Sequence, residues 1–175
     1  MSKLNRRELM SIELKEAMGE ALLELIKEKP LDKITVDEFT EKANVGRVTY
    51  YRQFKSKQDV ISYKLSRDWL KYEKENNLSF KKMKPEDYSA AFFEYIYSIR
   101  ETNRLLIEAG CKSCIFDAML FSFADIKNVT DPKKYYRDKF RSYGLFGLVE
   151  GWIESDYNLS VKQISELAVE LFYKI

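Results

Sequence analysis

The densest chemistry in this sequence is cationic. Between Lys42 and Gln58, seventeen residues carry five basic side chains (Lys42, Arg47, Arg52, Lys55 and Lys57) and no acidic one. Phosphate oxygens are held by such side chains and by free backbone N–H groups at helix starts. The whole-chain balance conceals this segment, because 30 Lys and Arg against 28 Asp and Glu leave a formal charge of only +2. That total alone argues for no polyanion. The second chemical feature is Cys111-Lys-Ser-Cys114. Near a helix start such a pair can be a redox couple, because the helix dipole lowers a thiol pKa. It can supply half a zinc site, but the sequence holds no other Cys and no His to complete one. Two ordinary thiols are the plainer reading. The absence of His also excludes a Ser-His-Asp triad and a Cys-His pair. No paired carboxylates, glycine-rich phosphate loop or nucleophile–base arrangement stands out, so an enzyme is not expected, nor any cofactor or metal.

Helices must position these residues. At 175 residues with 45% apolar and 33% charged side chains, the chain suits a folded domain of ordinary size. Six Gly and three Pro leave few turns, which argues against an all-β fold. Leu14, Ala17, Met18, Ala21, Leu22, Leu25 and Ile26 recur at helical steps, and this first helix ends before Pro30. Thr35 and Glu38 form a capping box for a short second helix, Val36 to Ala43, stapled by Ile34 and Phe39. Asn44 tolerates the left-handed geometry that ends it. A third helix opens at Gly46 and runs to about Phe54, with Val45 and Tyr50 placed as a second staple. Ser56 with Asp59 caps a long fourth helix, about Lys57 to Glu75. Asn76 to Met83 reads as a connection. Helices then follow over Glu86 to Arg100, Thr102 to Ala109 (closed by Gly110), Lys112 to Ile126, and from Asp131-Pro132 to about Ser155. Ser160 with Gln163 caps the last one.

Two short helices joined tightly after a longer one make a helix-turn-helix candidate, and the basic segment lies on it. In the third helix Tyr50 and Phe54 face the core. Arg47, Val48, Thr49, Tyr51, Arg52 and Gln53 remain for solvent or a ligand. Arg can read guanine in a major groove, and Thr and Val can touch a thymine methyl. Tyr51, Gln53 and Lys57 can bind phosphate oxygens.

The stretch from Leu22 to Ile61, LLELIKEKPLDKITVDEFTEKANVGRVTYYRQFKSKQDVI, resembles the DNA-binding domain of the TetR/AcrR family. The shared elements are Thr35-Val36, Phe39, Ala43, Val45, Thr49, Tyr51, Phe54 and Ser56-Lys57. The resemblance implies an all-α protein of about nine helices. A three-helix DNA-binding domain, residues 1–55, would be joined by the long fourth helix to a larger helical domain, residues 56–175, for ligand binding and dimerisation. It implies a cytoplasmic homodimer that binds palindromic double-stranded DNA as a transcription regulator of repressor type, with Thr35 added to the contacts. It departs from the family pattern where Asn44 replaces Gly, Gly46 replaces a Ser cap, Tyr50 replaces Leu, Gln53 replaces His and Lys55 replaces Pro.

Gly144, Gly147 and Gly151 share one face of the penultimate helix, although each glycine costs roughly 1 kcal/mol relative to Ala. Close approach by another helix is the expected compensation. The resemblance implies that the last two helices of each protomer form a four-helix dimer interface, and here its residues would be these glycines with Tyr143, Leu148 and Trp152, and Ile164, Leu167, Leu171 and Phe172 of the last helix. The alternative is packing within one protomer. The run GLFGLVEGWIES and the Ser-capped last helix resemble one branch, the group containing the activator of dihydroxyacetone kinase genes. That resemblance carries no ligand with it. A pocket for a small apolar or aromatic effector is expected among Phe92, Phe93, Tyr95, Tyr97, Phe116, Met119, Phe123 and Tyr136, each of which is also an ordinary core candidate. Two alternatives stay open. One is a regulator acting through a protein partner without an effector, and the other is a thiol sensor using Cys111 and Cys114. Neither a secretory signal nor a bilayer-spanning run of roughly 20 apolar residues is present, so no membrane partner is expected.

Overall fold

The computed structural model describes residues 5–123 and 131–173. Among the described residues there are nine α-helices, one short 3₁₀ turn and no strand. The first four helices are α1 (Arg6–Ile26), α2 (Val36–Lys42), α3 (Arg47–Gln53) and α4 (Lys57–Glu75). The others are α5 (Pro85–Ser98), α6 (Arg100–Glu108), α7 (Lys112–Phe123), α8 (Pro132–Glu154) and α9 (Val161–Tyr173). No described helix is long and apolar enough to cross a membrane.

Local chemistry sets most boundaries. Asn5 and Glu8 cap α1 reciprocally, with bonds of 2.7 and 3.0 Å. Thr35 with Glu38 and Ser56 with Asp59 do the same for α2 and α4, satisfying N–H groups that a helix start leaves open. Asp131 caps α8 ahead of Pro132. α1 stops at Ile26, short of Pro30, and a 3₁₀ turn over Leu31–Lys33 fills the gap before α2. Four of the described helices, α2, α4, α6 and α8, end in a Schellman motif. At α2 the Val45 N–H reaches the Thr40 carbonyl at 2.8 Å and the Asn44 N–H reaches Glu41 at 2.9 Å, with Asn44 left-handed at φ 53°. At α6 Gly110, φ 70°, plays the same part, and Cys111 N–H donates to Leu106 at 2.7 Å. The expected end of the seventh helix, Ala124 to Ile126, lies outside the described residues.

A continuous apolar core runs from Met18, Leu22 and Ile34 through Ile61 and Trp69 to Phe93, Leu106 and Trp152. α1 and α4 cross at Gly19, which is buried. A Cβ there would lie 2.5 Å from Lys64 Cβ, so only glycine allows this approach. The crossing is clamped by ion pairs from Lys64 to Glu20 at 3.1 Å and from Arg67 to Glu16 at 3.1 Å. Beyond it α4 packs against α7, and α5 packs against α9. Between α8 and α9 the chain turns through two consecutive left-handed non-glycine residues, Asp156 (φ 55°) and Tyr157 (φ 57°). Each such residue costs about 1–3 kcal/mol. Arg104 holds the Asp156 carboxylate, and Tyr157 packs edge-on against Trp152 at 4.9 Å.

Candidate functional site

α3 is held from beneath by aromatic side chains. Tyr50 is buried, and its ring meets Phe39 of α2 edge-on at 5.2 Å. Such a pair contributes about 0.5–1.5 kcal/mol beyond its buried area. Phe54 continues the row between Tyr50 (6.4 Å) and Tyr63 of α4 (5.7 Å). Burial pushes the Tyr50 phenol upward, so it stays protonated. With one side anchored, the opposite side of α3 is presented outward. Val48 is 79% exposed and Tyr51 67%. Arg47 and Arg52 are exposed, while Thr49 and Gln53 are half-buried. Large apolar side chains left in water beside guanidinium groups are what a groove-reading helix displays.

The five cations of this segment differ in availability. Lys42 pairs with Glu24 of α1 at 3.0 Å, which raises its pKa. Arg47 pairs with Asp37 of α2 at 3.0 Å. Lys57 was expected on the phosphate-binding surface, but its ammonium turns inward. It donates to the Ile34 carbonyl at 2.7 Å and to the Leu31 carbonyl, closing the 3₁₀ turn onto α4. The Leu31 carbonyl also accepts the Ile34 N–H at 3.3 Å, so the ammonium supplements that 3₁₀ bond. Thr35 is exposed, and its hydroxyl is engaged in the α2 cap. Lys29 and that cap together hold the Glu38 carboxyl down at about 2. Arg52 and Lys55 form no side-chain hydrogen bond or ion pair among the described residues. Lys55 and the Asp37 partner of Arg47 were not among the expected site residues. Asp37 lies ten positions before Arg47, and only the docking of α2 on α3 brings the two together.

The C-terminal helices enclose a cavity of about 290 Å³ between the end of α4, α5, α8 and α9. Phe92 and Phe93, two of the candidate pocket residues, line it. Glu73, Tyr88, Arg141 and Phe172, which were not expected there, line it too. Tyr95 and Met119 border a separate void of about 30 Å³ that shares Phe92 and Ser122 with the larger one. The Tyr95 hydroxyl is buried there without a hydrogen-bond partner among the described residues. Three expected pocket residues lie elsewhere. Tyr97 packs on Trp152 and Tyr157, Phe116 packs between Tyr143 and Phe146, and Tyr136 is 72% exposed on α8. The Phe123 side chain lies outside the described residues.

The expected dimer residues also divide. Trp152 and Ile164 are buried within the protomer, and the Trp152 indole donates to the Leu159 carbonyl at 2.9 Å. The turn at Asp156–Tyr157 brings that carbonyl back to the N–H edge of the indole, which a linear helical projection of α8 does not show. Gly144 meets the Phe172 ring of its own chain, 3.0 Å from where a Cβ would stand. By contrast, Gly147 and Gly151 open onto space with nothing within 4 Å. They continue an outward stripe with Tyr136, Phe140 and Tyr143, all exposed. Leu148 and Leu167 are half-buried, and Leu171 is exposed.

The two thiols are buried. Burial pushes Cys114 up to about 12 and raises Cys111 as well, which makes both poor nucleophiles. No group of three Cys, Asp or Glu side chains among the described residues is arranged to hold a metal ion.

Residues 20–63 match a family model described as bacterial regulatory proteins, tetR family. The match spans the last third of α1, all of α2 and α3, and the start of α4. No curated protein matches the sequence as a whole. The resemblance of the α8–α9 region to one branch of the family gains no support from these comparisons, because the match ends at residue 63. By that match residues 20–63 are similar to the DNA-binding domain of the tetR family of bacterial regulatory proteins, and the helix-turn-helix of that domain corresponds to α2 and α3.

Proposed function

We propose that the protein is a homodimeric repressor that binds a palindromic operator and releases it when an organic effector fills the cavity between α4, α5, α8 and α9. The observation that carries the DNA contacts is the outer face of α3, where exposed Val48 and Tyr51 stand beside Arg52 and Lys55. Arg47, Val48, Thr49, Tyr51, Arg52 and Gln53 are assigned to the groove, with Lys55 on phosphate. Thr35 and Lys57 support them by fixing the entrance to α2. The DNA-binding unit ends near residue 55, at the bend between α3 and α4. Dimerisation uses the stripe Tyr136, Phe140, Tyr143, Gly147 and Gly151, with Leu171 at its edge. An aromatic face of that kind left in water is costly in a monomer. Two-fold pairing of α8 would set the two recognition helices one DNA turn apart, roughly 34 Å. The effector would act by its difference in affinity for the two head spacings.

The test is fluorescence anisotropy on the palindrome upstream of the gene, with light scattering to give the mass. Arg47→Ala should weaken specific binding by about 1–3 kcal/mol and leave non-specific binding nearly intact. Gly147→Arg should yield monomers with no cooperative operator binding. A dimer that survives Gly147→Arg with unchanged affinity would show that α8 is not the interface.

A further inference from the structure

We infer that the cavity between α4, α5, α8 and α9 binds a small organic cation, an aromatic or arylalkyl ammonium, and not an acid. The inference rests on the reading above only in placing the effector in this cavity.

Four hydroxyls line the space, and each already spends its proton on the protein. Ser89 donates to the Ser165 carbonyl at 3.0 Å, Ser122 to Ala118 at 2.9 Å and Ser142 to Asp138 at 2.8 Å. Tyr88 donates to the Glu73 carboxylate at 2.7 Å. A hydroxyl that has donated still offers lone pairs. Glu73 keeps its second oxygen, and Asp138, bound through one oxygen to Lys134 at 2.5 Å, keeps its other. Apart from the exposed Arg141 guanidinium, the described wall is therefore rich in acceptors, and a ligand seated among them must bring the hydrogens.

Charge placement points the same way. Glu73 and Asp138 are half-buried, and the Lys134 that faces Asp138 sits towards solvent. Arg141 is the one cationic side chain on the described wall, and it is exposed, so water screens it more strongly. The half-buried carboxylates decide the sign. The remaining wall is apolar, with five aromatic rings (Phe80, Tyr88, Phe92, Phe93 and Phe172) beside aliphatic side chains such as Leu145 and Val169. Ring faces attract cations and repel anions. A volume of about 290 Å³ is at the small end of ligand pockets, which run from roughly 300 to 1,000 Å³, and suits a single-ring ligand.

Two probes of similar size and opposite charge test this on the full-length protein: 2-phenylethylammonium and 3-phenylpropionate. Binding is read by calorimetry, with the melting temperature of every variant recorded without ligand. The ammonium should bind at least tenfold more tightly than the acid. Glu73→Gln and Asp138→Asn should each lower its affinity severalfold, and Arg141→Gln should not. A variant that melts early still leaves the ammonium-to-acid ratio on the unmodified protein as a readout. Tighter binding of the acid, lost in Arg141→Gln, overturns the inference, and so does the absence of binding by either probe. Operator affinity is measured separately. Ammonium binding without a change in DNA affinity would sink the effector reading and leave the ligand class standing. Acid binding that releases DNA would do the reverse.

Discussion

Lys57 separates two roles that a basic residue beside a recognition helix can play. Its ammonium donates to the Leu31 and Ile34 carbonyls, across 26 and 23 residues of sequence. Replacing it with methionine keeps most of the stem and removes both bonds. Hydrogen bonds to a charged group are worth about 1.5–3 kcal/mol each. Lys57 is half-buried, so water recovers part of that, and about 2 kcal/mol for the pair is the expected loss. For a chain of this size that lowers the melting temperature by about 4–8 °C. The DNA measurement is the sharper one. A lysine that neutralises a phosphate contributes about 0.9 to the slope of log affinity against log salt. Lys57 is already engaged, so Lys57→Met should leave that slope unchanged while the melting temperature falls. A slope reduced by about 0.9 with an unaltered melt would show that the ammonium leaves the turn and binds the backbone of DNA, and would refute the assignment.

Asp37→Asn frees Arg47 and removes a negative charge beside α3, so DNA affinity at low salt should rise severalfold in anisotropy titrations. Gly19→Ala drives a methyl into Lys64 at the α1–α4 crossing and should cost about 1–3 kcal/mol in denaturant unfolding. The Glu38 carboxyl is held at about 2 by Lys29 and the Thr35 cap, below its ordinary value of 4.5. Its stabilising effect is therefore complete above about pH 4.5 and is lost as the pH falls through about 2. The difference in melting temperature between the protein and Glu38→Gln should narrow across that window and vanish at its lower end.

What the sequence disclosed was chiefly what acts over three or four residues. The boxes Thr35–Glu38, Ser56–Asp59 and Ser160–Gln163, and the left-handed Asn44, follow from backbone chemistry that neighbouring residues satisfy, and each stands where it was expected. The outer face of α3 was legible for the same reason, since Tyr50 and Phe54 declare the buried side. Long-range geometry was not. Nothing near Gly19 in the chain announces Lys64, and nothing near Lys57 announces the two carbonyls it ties. The cavity residues Glu73, Arg141 and Phe172 come from three helices far apart in sequence. Selecting aromatics by type found Phe92 and Phe93 but also collected Tyr97 and Phe116, which serve ordinary packing.

The crossing at Gly19 has a mechanical consequence. With Lys64 seated against the bare glycine backbone and the Lys57 clamp below it, the recognition unit is fastened to the first half of α4 and cannot slide along it. It can only swing with the helix axis. The far end of α4 carries Glu73, on the cavity wall. Eighteen residue steps separate Lys57 from Glu75, a rod of roughly 27 Å. A tilt of one degree about one end displaces the other by about 0.5 Å over that length. The lever has no slack at its Lys57 end, so small angular changes at Glu73 would reach α3 undiminished.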